Sequence, residues 1–150
     1  MKRPFLRRRT PATAPAPSQW IAAAYGSRAQ ELVDTLPALM ARATAEARLP
    51  RTRPSANALE VTTGAELAAA LMELRSLTLS VEVTGDDVAR DLRFRAALAE
   101  AIGAARGLAL ASSSQPTAWD LGHTQAGVNA VLVAAGRRGS GPPDASSAGA

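Results

Sequence analysis

Cysteine is absent from these 150 residues, and histidine occurs once. No disulfide framework and no thiolate metal site can form. Two-histidine metal motifs such as HExxH are excluded as well. Aromatic side chains make up only 3% of the chain, so a core must be built mainly from Leu, Val and Ala. Small side chains bury little area each, and the expectation is a modestly stable domain. A chain of this length can still bury a core without disulfides or metal. Lysine occurs once against sixteen arginines. Codon bias in a GC-rich genome accounts for that more simply than selection for guanidinium chemistry.

No apolar run approaches the ~18–20 residues of a membrane span. The longest candidate, Val128 to Ala135, is far shorter. A secretory leader is not expected, because the arginine cluster runs into Pro11, Pro15 and Pro17, which cannot build an apolar leader helix. The expected setting is the cytoplasm. The minor alternative is an organelle-targeting segment over residues 1–30, which are rich in Arg, Ala, Ser and Thr.

Acid is also missing, but only from the start. Residues 1–30 hold six basic side chains and no acid, and the first acid is Glu31. From there to Ala150 eleven bases face thirteen acids. The formal net charge of +4 therefore comes from an N-terminal arm on a mildly acidic body. Lys2, Arg3, Arg7, Arg8 and Arg9 form the candidate polyanion-binding group. Such arms bind nucleic acid through counterion release with little reading of sequence.

The remaining pattern predicts an α/β or α+β fold. A small three- to four-stranded sheet with two packed helices is preceded by an N-terminal helical segment and flanked by disordered tails. The expected divisions are a basic Pro-rich arm (1–17), a helical segment (18–50), a linker (51–56), an α/β domain (57–136) and a Gly/Ser/Pro-rich tail (137–150). Within 18–50, Pro37 marks the start of a second helix. Strands are expected near Leu59–Thr62, Leu77–Thr84 and Leu108–Ala111, and Val128–Ala135, uncharged and bounded by Gly127 and Gly136, reads as a buried strand ahead of a helix. The second is the cleanest, with Leu77, Leu79, Val81 and Val83 alternating with polar residues. Thr63-Gly64-Ala65-Glu66 has capping-box spacing before one helix. Thr84-Gly85-Asp86-Asp87 opens another, with Val88, Leu92, Ala99 and Ile102 as its apolar face and Gly107 as its C-cap. Two acid-first pairs lie on it, Asp86–Arg90 and Asp91–Arg95.

Chemistry-bearing motifs are sparse. The two Thr-Gly turns sit where phosphate sites are often built, yet neither GxxxxGK[ST] nor GxGxxG is present. A helix-turn-helix across 64–100 conflicts with the alternating run at 77–84. Residues 112–129 hold the densest reactive set: Ser112, Ser113, Ser114, Asp120, His123, Thr124, Gln125 and Asn129. Asp120 could orient His123 as a base for a serine, but no GxSxG elbow supports it, and a polar loop is the simpler reading. Trp119 is expected to be a packing anchor. No catalytic residue, metal ligand or cofactor is expected. The chain is read as a non-enzymatic accessory protein with a polyanion-binding arm. The alternative is a protein-binding inhibitor of the immunity or antitoxin kind, or a phage or mobile-element accessory protein, acting through its folded domain.

Overall fold

A computed structural model describes residues 19–48, 64–110 and 118–137. Every regular element among them is helical: α1 (Trp20–Tyr25), α2 (Ser27–Arg48), α3 (Ala65–Leu79), α4 (Val88–Leu110) and α5 (Ala118–Ala134). A short 3-10 turn, Gly85–Asp87, leads into α4. The α/β or α+β expectation is therefore corrected to an all-α, five-helix bundle among the described residues. The basic arm, the 51–56 linker, the strand expected near 59–62 and most of the C-terminal tail lie outside them.

Long-range pairs set the directions of the helices. Arg28 and Arg42 of α2 pair with Glu73 and Glu66 of α3, so these helices run antiparallel. Leu108 of α4 lies against Gly64 at the start of α3, while Arg95 reaches the end of α3. Ala101 and Ala104 of α4 meet Gly127 and Thr124 of α5. Successive antiparallel neighbours make an up-and-down bundle, with α4 between α3 and α5. Helices on both sides of the 51–56 segment share one core, which includes Ile21, Leu36, Met40, Leu71, Phe94 and Leu132. Full burial of each such side chain contributes roughly 1.5–3 kcal/mol. Trp20, Tyr25 and Phe94 join at ring-centroid separations of 5.5–5.8 Å.

Each misread strand has a physical cause. In Leu77–Thr84, Thr78 is buried and Leu79 is 63% exposed, the reverse of the expected alternation. The side chain of Arg95 donates to the carbonyls of Thr78 (2.6 Å) and Val81 (3.0 Å). It thereby ties the last turn of α3 and the residues that follow it to α4, where Val81 and Val83 pack half-buried against the core. Asp91 Oδ2 accepts from Arg95 Nε at 2.8 Å, and Asp91 Oδ1 accepts from the Tyr25 hydroxyl at 2.5 Å. The acid-first pair expected at Asp91–Arg95 is thus present and, with Tyr25, ties α1, α3 and α4 together. Burial and the neighbouring carboxylate push the Tyr25 hydroxyl well above the usual tyrosine range.

Residues 108–110 are the last turn of α4, and Gly107 lies within that helix rather than ending it. Its buried face follows Asp91, Phe94, Leu98, Ala101 and Leu108. Val88, Leu92 and Ala99, expected inside, are exposed. Arg90 pairs with Asp87 at 3.6 Å rather than with Asp86. Residues 128–134 are helical, within α5. Gly127 does not break that helix: a Cβ there would lie 3.0 Å from the Ala101 Cα, so its absence lets α5 approach α4 closely. The helix ends at Gly136, where φ is 89°. The amides of Gly136 and Arg137 bond the carbonyls of Val133 and Leu132, a Schellman closure. Pro37 does not start a new helix either, since α2 runs through it.

Candidate functional site

The α4–α5 pair leaves an open groove on its outer side. One part, about 830 Å³, is lined by Trp20, Arg90, Arg93, Asn129 and Val133, among others. An adjoining part of about 310 Å³ is lined by Glu100, His123 and Gly127. Ala96, Ala97, Ala126 and Ala130 line both parts and so form the middle of a single groove. Its floor is methyl groups because the close α4–α5 approach needs small residues on both helices.

The two ends differ in charge. Arg90 and Arg93 stand at one end, and Arg90 also lies over the Trp20 ring, 6.0 Å from its centroid. Glu100 and His123 stand at the other end. Among the described residues, neither Arg93 nor Glu100 is in an ion pair. Trp119, expected to anchor packing, is instead 70% exposed. Its ring stacks on His123 with centroids 4.8 Å apart. Val133 is 63% exposed. Trp119, His123, Ala126, Ala130 and Val133 follow spacings of four, three, four and three residues, which place them along one stripe of α5.

The reactive set read from the sequence divides over this helix. Asp120, His123, Thr124, Gln125 and Asn129 all fall on α5, whereas Ser112, Ser113 and Ser114 lie outside the described residues. Thr124 is fully buried, and its hydroxyl bonds the carbonyls of Asp120 (2.8 Å) and Ala104 (3.3 Å). It ties α5 to α4. Gln125 Nε2 donates to Asn129 Oδ1 at 3.1 Å. No group of three or more His, Cys, Asp or Glu side chains that could hold a metal ion occurs among the described residues. The turn at 84–87 carries Asp86 and Asp87, whose charge opposes a phosphate. Lys2, Arg3, Arg7, Arg8 and Arg9 fall outside the described residues. No helix among the described residues is long and apolar enough to cross a membrane.

Sequence reasoning missed Arg93, Glu100 and the alanines between them. The available signal was the spacing of Trp119, His123, Ala126, Ala130 and Val133. The strand reading of residues 128–135 hides it. No protein-family model matches the chain, and no curated protein or solved structure shows significant similarity to it.

Proposed function

We propose that this chain is a non-enzymatic interaction protein whose α4–α5 groove receives an apolar surface of a protein partner. One observation carries the reading. The groove is floored by alanine and lined by exposed Val133, exposed Trp119 stacks on His123 at its edge, and its charges stand at its ends. An apolar middle with polar ends is the common anatomy of protein interfaces, and exposed contiguous apolar surface of this kind marks interaction sites. The buried polar groups serve the fold: Thr124 joins α5 to α4, and Asp91 joins α4 to α1. The expected setting is the cytoplasm.

The test is a photoreactive side chain at position 130, in the groove, compared with one at Ser76, exposed on α3. The reading predicts protein adducts from position 130 and none from position 76. Equal labelling at both positions, or none at either, overturns it.

A second activity rests on the charge partition. The described residues carry nine arginines against eleven acids, whereas residues 1–30 carry six bases and no acid. The arm residues Lys2, Arg3, Arg7, Arg8 and Arg9 would hold nucleic acid or another polyanion without sequence preference. If about four phosphates are neutralised, log K falls with log salt at a slope near −3.6 on duplex DNA. Fluorescent DNA and RNA titrated with the full chain and with a chain starting at Ser18 test this. Binding lost with the arm supports it, and equal binding by the two proteins overturns it.

A further inference from the structure

The groove has a polarity that its own copy would complement. Its basic end holds Arg93 and its other end holds Glu100, both on α4 and both exposed. They are seven residues apart, about 10.5 Å along the helix. Ala96 and Ala97 lie between them, in the middle of the groove. A two-fold axis through that middle, perpendicular to α4, exchanges the two ends. Arg93 of each chain then meets Glu100 of the other, in two equivalent pairs. This is the relation an isologous interface requires, with one patch facing itself. The alanine floor permits close helix approach, and the three–four stripe on α5 supplies the spacing by which antiparallel helices interdigitate.

Resting on the reading of the groove as an interface, we propose that its occupant is a second copy of this chain, packed antiparallel on α4 and α5. A partner of a different sequence would need the same charges in reversed order, whereas a second copy has them by symmetry. The apolar middle drives association, and the charged ends set its register and orientation.

Charge exchange tests this with a signature that an unrelated partner cannot mimic. Arg93→Glu alone places Glu against Glu at both pairs, and Glu100→Arg alone places Arg against Arg. Each should weaken self-association about 10-fold or more, as close like-charge contacts at interfaces do. An equimolar mixture of the two variants restores both attractive pairs and should recover the dimer. Sedimentation velocity of the full chain up to ~100 μM, a range suited to interfaces of modest size, reads all four samples. Urea midpoints matching the parent's at concentrations where it is monomeric, as expected for exposed positions, confirm that the variants fold.

Recovery in the mixture alone, with each variant weakened by itself, supports the proposal. Association unchanged by either substitution overturns it, as does weakening that mixing fails to reverse. A monomeric parent also overturns it. In that last case, adducts to a different protein from position 130 leave the groove reading standing. No adducts at all remove both.

Discussion

Asp91→Ala probes the tie on which α1, α3 and α4 converge. Asp91 is 7% exposed and accepts from Tyr25 at 2.5 Å and from Arg95 at 2.8 Å. Each hydrogen bond to a charged group contributes about 1.5–3 kcal/mol, and breaking a buried ion pair costs about 3–5 kcal/mol. The upper figures do not apply, because the Arg95 side chain is 27% exposed. Water can reach its guanidinium, and two backbone carbonyls remain bonded to it. The Tyr25 hydroxyl has no such relief. The expected loss is about 3 kcal/mol, which at a urea dependence of ~1.5 kcal/mol/M lowers the midpoint by about 2 M. Equilibrium urea unfolding, followed by helical circular dichroism, measures it. Tyr25→Phe should cost about 1.5 kcal/mol in the parent and distinctly less beside Asp91→Ala, because the two groups share one interaction. Asp86→Ala, at an exposed position five residues earlier, should stay within about 0.5 kcal/mol. A loss below about 1 kcal/mol for Asp91→Ala, with additive behaviour in the double variant, would refute the reasoning. The course of the α3–α4 connection would then need another cause than Arg95.

Tyr25 is the single tyrosine of the chain, so tyrosinate absorbance reports it alone. Because burial and Asp91 raise its pKa in the folded state, the native protein should titrate above the ordinary value near 10, and the urea-unfolded protein at about 10. The sign for stability follows. The contribution is complete below pH ~10 and is lost as pH rises toward the folded value; a native titration near 10 contradicts the buried hydroxyl. Gly127→Val should destabilise by about 1–3 kcal/mol through overpacking against Ala101. Gly122→Ala, with open space around it, should stabilise by about 0.5–1 kcal/mol through helix propensity; thermal unfolding compares the two, and a reversed order contradicts the close α4–α5 approach. Trp119→Phe should leave a blue-shifted, acrylamide-protected emission from Trp20. Trp20→Phe should leave a red-shifted, readily quenched one, and similar quenching of the two variants contradicts their opposite exposure.

Parts of this architecture were legible from residue patterns. Trp20, Ile21, Tyr25, Leu32 and Leu36 mark the buried side of α1 and α2 in the sequence and in the bundle. Leu67, Ala68, Leu71 and Leu74 do so for α3. The failures share a cause: local preference was outweighed by contacts distant in sequence. Residues 77–84 have the β-branched alternation of a strand, but a strand needs a neighbour to bond its backbone. Here Arg95, fourteen residues beyond Val81, takes that place at two carbonyls. The buried face of α4 begins at Asp91, a charge that a hydrophobic pattern passes over, so the pattern points to Val88 and Leu92 instead. Gly127 and Gly136 looked like matching boundaries. One is a packing contact and the other a helix stop, and only the positive φ at Gly136 separates the two roles. The groove was the least legible feature, since alanine signals neither burial nor exposure until its neighbours are known.

Sedimentation of the parent chain beside Ala130→Arg tests most directly the claim that the α4–α5 face joins two copies. Ala130 is exposed on the groove floor, so an arginine there alters the surface without entering the core. The account predicts concentration-dependent dimerisation of the parent, a monomeric variant, unchanged helicity, and equal urea midpoints at concentrations where the parent is monomeric. Identical sedimentation of the two proteins at every concentration would contradict it.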